Sequence, residues 1–260
     1  MLNWKTINHK RIKHIRRSQR MLARQFGQIR KQLADAMAGY SDPNSLQVVV
    51  DNFQIDQDFI RDAYKEIFVR TGVDFAEFNY NQFRKSRAGA YEKKDINDDI
   101  RKSIWLRQLL EYVDTDLGSE IQDVTKNLFV GIQDNARKAI RLAAQEGWGA
   151  ERTAREIIKL QGQMDKYRAM RIARTEVMRA SNEGAMKGVG QFDIQLKKVW
   201  LSTSDGRERD WHIGIESVDM NEKFNVGGEL MEYPGDPDAS PKNTINCRCA
   251  VAFEPKESVL

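Results

Sequence analysis

Between residues 5 and 38, apolar side chains recur at Ile12, Ile15, Leu22, Phe26, Ile29, Leu33 and Met37. Steps of three, four and seven put them on one face of a helix. Gly39-Tyr-Ser-Asp-Pro43 ends it, with a glycine at the stop and a proline just beyond. The helical period returns over 56–71, from Asp56 as cap to Gly72 as stop, with Phe59, Ile60, Ala63, Ile67 and Phe68 inward. It returns again over 96–116, with Ile100, Ile104, Leu106, Leu109 and Leu110. Ser119-Glu-Ile-Gln122 has the form of a capping box, with Ser119 as the cap. Ile121, Val124, Leu128, Ile132, Ala136, Ala139 and Ala143 carry that stripe toward Gly147. After the turn at Gly147-Trp-Gly149, the pattern predicts a short helix over 151–160 and a longer one over 164–189.

The pattern changes after Phe192. Residues 198–203 read as a strand, Ser204-Asp-Gly206 as a turn, and Asp210-Trp-His as a short helical turn. Residues 223–233, with Gly227-Gly228 at their middle, predict a hairpin, and Pro234-Gly-Asp-Pro237 a rigid turn. A last strand is expected over 244–253. The fold class expected is α+β, a mostly helical N-terminal body with a small β-rich C-terminal module. The expected divisions are a basic amphipathic helix (1–40), a helical body (41–192) and the β-rich module (193–260).

Composition narrows the function. A chain of 260 residues, 40% hydrophobic and 31% charged, can bury a core. No apolar run approaches the roughly 18 residues of a membrane span, and MLNWKTINHK lacks a signal-peptide centre. Synthesis in a reducing cytoplasm is expected, and two cysteines, Cys247 and Cys249, make no disulfide framework. The net charge of +4 hides alternating blocks: residues 1–40 hold ten Lys and Arg against one acid, Asp35. A row of cations on one helix suits a polyanion such as double-stranded DNA, bound without base reading. The candidate DNA contacts are Lys5, Lys10, Arg11, Lys13, Arg16, Arg17, Arg20 and Arg24. The competing reading is a bundle helix with a solvated basic surface. Membrane binding ranks last, because Phe26 is the one aromatic anchor on the apolar face.

The remaining chemistry concentrates near the C-terminus. Thiolates and imidazole suit zinc, so His212, Cys247 and Cys249 are candidate metal ligands, with Asp205 as a fourth. A Cys-x-Cys pair on a strand would point both sulfurs to one face. In the other reading the cysteines pack inside, while Asn246 and Arg248 hold the turn. Beyond that candidate zinc, no cofactor is expected. Arg174 and Ser202-Thr-Ser204 are similar to part of an ADP-ribosyltransferase set, but Glu229 and Glu232 are three apart and make no Glu-x-Glu. An ion-pair role is expected for Arg174 and Glu176. Asp95, Asp98 and Asp99 cluster as a nuclease's carboxylates would, though at a helix start they favour the dipole. Phosphate-loop, Gly-x-Ser-x-Gly and His-Glu-x-x-His signatures are missing, and no enzymatic activity is expected.

An ordered set of features carries a family resemblance: Gly147-Trp148, Ala173-Arg-Thr-Glu176, Asn182, Trp200, Thr203, Asp205, Arg207, Arg209, His212, Phe224, Pro234-Gly-Asp-Pro237 and Asn246-Cys-Arg-Cys249. From about Ser119 to Phe253 the chain resembles the Mu F-like phage head morphogenesis family. The resemblance implies a minor structural protein of a tailed-phage head, associated with the portal and packaged DNA. It implies a role in head morphogenesis or genome delivery. Arg174, Glu176, Trp200, Asp205, Arg207, His212, Asn246 and Arg248 would then be structural motif residues. Portal protein, capsid or scaffold protein and double-stranded DNA are the expected partners, with no membrane. The expected location is the virion, at the head interior or portal vertex, after assembly in the host cytoplasm. The alternatives are a head-carried enzyme of ADP-ribosyltransferase type and a transient assembly factor.

Overall fold

The structure is a computed structural model that describes residues 3–85, 97–193 and 195–256. The described helices are α1 (Trp4–Met37), α2 (Pro43–Asn52), α3 (Gln57–Arg84), α4 (Asp98–Thr115), α5 (Gly118–Glu146), α6 (Ala150–Val189) and a short α7 (Pro241–Thr244). The strands are β1 (Leu196–Leu201), β2 (Val218–Asp219), β3 (Phe224–Val226), β4 (Glu229–Met231) and β5 (Ala250–Pro255). The class is α+β, with a helical body and a small antiparallel β region toward the C-terminus. No helix among the described residues is long and apolar enough to cross a membrane. Asp95 and residue 96 lie outside the described residues.

Two compact units exist, and they interleave along the chain rather than changing over at 192. One comprises Met1–Ser18, Tyr64–Leu117 and Arg171–Leu260; the other comprises Gln19–Ala63 and Gly118–Met170. The helices α1, α3 and α6 contribute residues to both. A change in hydrophobic period marks where helix gives way to strand, and says nothing about which distant segments pack together.

Several elements depart from expectation for local reasons. The loop expected after Gly39 contains α2: the Asp42 side chain accepts from the Ser45 N–H, and Pro43 opens the first turn. Gly72 does not stop α3, which continues to Arg84. Its missing side chain serves packing instead, because a Cβ there would stand 2.6 Å from Leu109 Cδ1 of α4. The two helices expected after Gly149 are one helix of 40 residues, and Gly162 does not break it. Across that position Gln161 Nε2 donates to Asp165 Oδ1 at 2.7 Å, and the Asn135 amide of α5 donates to Gln161 at 2.9 Å. Asp165 also pairs with Arg30, and these contacts keep the turn helical within the second unit. Ser119 lies inside the first turn of α5, not at its cap.

In the first unit, β1 runs antiparallel to both β2 and β5, in the order β2-β1-β5. The β1–β5 register runs from Leu196 opposite Pro255 to Leu201 opposite Ala250. The expected hairpin is β3–β4, closed at Gly227-Gly228, where both glycines take positive φ. The last strand starts at Ala250, so neither cysteine is on a strand. Leu196, Val251 and Phe253 pack with Ala185 and Val189 of α6 and with Tyr233. A second cluster joins Met178, Trp200, Phe224, Val226, Met231, Cys247 and Cys249. Buried Lys198 of β1 reaches the Glu232 carboxylate at 2.6 Å.

Candidate functional site

The expected metal ligands do converge, although not through a strand. Asn246 adopts a left-handed φ of 55°, a conformation its short amide tolerates. Its N–H donates to Thr175 Oγ1 at 3.1 Å, tying the Cys-x-Cys loop to α6. His212 ends a short 3-10 helix, Asp210–His212, and is buried. Its Nδ1 lies 3.7 Å from Cys247 Sγ and 3.5 Å from Cys249 Sγ. The three ligand atoms lie within 4.8 Å of one another, and all three residues are buried.

The hydrogen bonds around His212 place a proton on its Nε2. Asn243 Nδ2 donates to the Val226 carbonyl at 3.2 Å, which fixes the orientation of the amide. Its Oδ1 then accepts from Trp211 Nε1 at 2.7 Å and faces His212 Nε2 at 3.1 Å. A carbonyl oxygen cannot donate, so Nε2 carries a proton, and Nδ1 is the ring nitrogen that faces the sulfurs. The Trp200 ring stands edge-on to His212 at 5.4 Å and to Phe224 at 5.3 Å, closing one wall.

Charge reaches this site from α1. Arg11 is buried, donating from Nη1 to the carbonyls of Arg248 and Cys249 at 3.1 and 3.0 Å. Its Nε and Nη2 donate to Ser181 Oγ and Asn182 Oδ1 at 2.6 and 2.7 Å. Burial lowers the guanidinium to about 10, against the opposing pull of the two cysteines. The thiols split: the hydrogen bond from Cys249 draws Cys247 well below its ordinary value, against burial and with help from His212. Its partner Cys249 is pushed up by that same hydrogen bond and by burial.

Asp205 is not a further ligand. Arg248 grips both its oxygens, and Thr203 Oγ1 and the Arg207 N–H also donate to it. The Arg248 hydrogen bonds hold the carboxyl far below the usual range. Of the two residues expected in ion pairs, Glu176 pairs with buried Arg179 at 2.9 Å, whereas Arg174 is exposed and has no ion pair among the described residues. Residues one turn apart meet on a helix face, and Arg179 stands three beyond Glu176 whereas Arg174 is two before it. Glu229 accepts from Ser240 N–H and Oγ, and Glu232 from Lys198.

The basic helix divides into two faces. Lys5, Lys13, Arg16, Arg17, Arg20 and Arg24 are exposed and make no ion pair among the described residues. Arg11 is a correction to the DNA-facing set, since its guanidinium is consumed by the buried contacts above. Lys10 is turned to Asp74 at 2.6 Å, beside the Phe75 and Phe78 rings, and His14 meets the same carboxylate at 2.7 Å. Burial opposes ionisation of Asp74, but the hydrogen bonds from His14 and Lys10 outweigh it and lower its pKa below the ordinary 3.8. A depressed folded-state value means that the unfolded chain takes up this proton first as pH falls. The advantage of wild type over Asp74→Asn is therefore full above the unfolded value. It should disappear as pH falls through the folded one, as urea midpoints at pH 7 and pH 3 would show.

Residues 134–252 match the family described as phage Mu protein F like protein. This stretch is phage Mu protein F-like. The match assigns the stretch to a phage head morphogenesis family, in agreement with the motifs read from the sequence. The Mu F-like region holds all of α6, β1 to β4, the first half of β5, His212 and the cysteine pair, and α1 lies outside it. Over 96 residues the chain is 29% identical to the uncharacterized protein YqbB of Bacillus subtilis (strain 168). That alignment covers 35% of this chain and 32% of the relative, so it spans about a third of the relative's length. No solved structure matches the chain.

Two residues at the heart of the site carry no obvious mark in the sequence pattern. Asn243 and the buried Arg11 orient the histidine and the cysteine loop, yet neither stands out by type. The one usable signal for Arg11 is its phase. Counting back from Leu22, Phe26, Ile29 and Leu33 in helical steps leads to Ser18, Arg11 and Ile7, all buried, whereas Ile12 is exposed.

Proposed function

We propose that this chain is a minor structural protein of a tailed-phage head, located in the virion and acting in head morphogenesis or genome delivery. The Mu F-like match over residues 134–252 is the observation that carries this reading. In it the portal is the protein partner, met by the C-terminal acidic surface that includes Asp210, Glu216 and Glu222, all exposed. Quantitative mass spectrometry of purified mature particles tests it. The chain is expected in mature heads, and a loss on emptying them of DNA would mark it as ejected with the genome. Absence from mature particles would make it a transient assembly factor or an enzyme and would end the structural reading.

The exposed cations of α1 support contact with packaged DNA. Lys5 to Arg24 spans roughly 28 Å of helix at about 1.5 Å per residue. Six exposed cations along that length, with no ion pair among the described residues, match phosphates without any base contact. Each phosphate neutralised contributes about −0.9 to the slope of log affinity against log salt. Replacing Lys13, Arg16, Arg17, Arg20 and Arg24 together by alanine is expected to flatten the slope by about 4.5. All five are exposed, so the fold should persist. An unchanged slope in filter binding would remove DNA from the functions of α1.

A further inference from the structure

We propose that His212, Cys247 and Cys249 bind one zinc ion, which locks the Asn246–Cys249 loop to the short helix at Asp210–His212. This goes beyond a role in the phage head and does not depend on one.

The spacing is that of a metal site. Zinc bonds sulfur at about 2.3 Å and nitrogen at about 2.0–2.1 Å, so a tetrahedral ion holds its N and S ligands roughly 3.6 Å apart. The observed separations of His212 Nδ1 from the two sulfurs are 3.7 and 3.5 Å. Both are long for strong hydrogen bonds and fit a shared ion. The ligand chemistry selects a soft or borderline cation, since two sulfurs and an imidazole without a carboxylate do not suit magnesium or calcium.

The surroundings are arranged as a ligand sphere requires. A metal-bound histidine donates its second ring nitrogen to an acceptor, which fixes the tautomer. Asn243 Oδ1 provides that acceptor, and the Val226 carbonyl holds the amide so that it cannot flip. Thiolates need nearby positive charge, and the buried Arg11 guanidinium donates to the Arg248 and Cys249 carbonyls of the same loop. Its four hydrogen-bond acceptors, Ser181 Oγ, Asn182 Oδ1 and the two carbonyls, include no carboxylate. Trp200, whose buried Nε1–H has no nitrogen or oxygen acceptor among the described residues, packs in the same cluster as Cys247 and Cys249. Asp205 is engaged with Arg248, which leaves the fourth position to water or another small ligand.

The full chain, kept reduced, is loaded with zinc, desalted and analysed for metal. One zinc per chain is expected. Cobalt(II) in place of zinc is expected to show sulfur-to-cobalt charge transfer in the near ultraviolet and the intense visible bands of a tetrahedral ion. The Cys247→Ser/Cys249→Ser double variant should lose both the zinc and the spectrum. Zinc-free wild type, or a Cys247–Cys249 disulfide formed in its place, overturns the proposal, as does a folded double variant that keeps its zinc. Should that variant fail to fold, the cobalt spectrum of wild type decides: no thiolate band means no site.

Discussion

Gly184→Ala is expected to destabilise the protein by about 3 kcal/mol, although alanine is the better helix former. A Cβ at Gly184 on α6 would fall well inside contact distance of the Gly72 carbonyl oxygen on α3. Gly188, one turn on, stands in the same relation to the Ala76 carbonyl. The obstacle is backbone on both counts, so no rotamer change relieves it and the two helices must separate locally. Alanine's propensity gain, about 1 kcal/mol at most, opposes this and loses. Gly27→Ala is the control, because its Cβ would meet only the Arg30 guanidinium at an ordinary 3.6 Å. There the propensity gain should stand alone. Urea midpoints of the two variants should move in opposite directions. A Gly184→Ala protein as stable as wild type would mean that α3 and α6 do not approach as closely as the structure has them.

Asn182→Leu is expected to cost about 4 kcal/mol, through unmet polar groups rather than lost volume. The Asn182 amide lies at a junction in the first unit. Its oxygen accepts from Arg11 Nη2 at 2.7 Å and from the Val251 N–H at 3.1 Å. Its nitrogen donates to the Pro234 carbonyl at 2.6 Å and approaches the Cys249 carbonyl at 3.4 Å. Leucine fills a similar space but leaves a buried guanidinium, a strand N–H and a turn carbonyl short of partners. The penalty for a buried charge that loses one of its four hydrogen bonds, added to the unmet N–H and carbonyl, exceeds what leucine gains by being apolar. Arg11→Met in the same background should be less damaging than in wild type, since the charge it removes has already lost a hydrogen bond. Thermal melts of the two single variants and the double variant would test this coupling, and strict additivity would refute it.

The β3–β4 hairpin was legible because Gly227-Gly228 interrupts an alternating pattern, and a turn that needs positive φ favours glycine. The long helix α1 was legible from its period. Gly72 was misread because a glycine that ends a helix and one that admits a neighbouring helix look alike in one dimension. Arg11 was misread for a related reason. Charge marks a residue for the surface, and only its hydrogen-bonding partners, 170 or more residues away in the chain, reverse that.

The chain by itself determined the helical period of α1 and α5, the β3–β4 hairpin and its turn, the basic character of α1 and the family motifs ending in Asn246-Cys-Arg-Cys249. Each of these is set within a short window by period, turn chemistry or residue order. Only the tertiary structure decided which cations face solvent and which partner Glu176 takes. It also decided the convergence of His212 Nδ1 with two sulfurs more than thirty residues distant, and the Nε2 proton that Asn243 accepts. Those outcomes depend on burial and on hydrogen bonds across long sequence separations. An arginine is stable in the interior only where carbonyls and amides from several elements meet it, and no local pattern encodes that meeting.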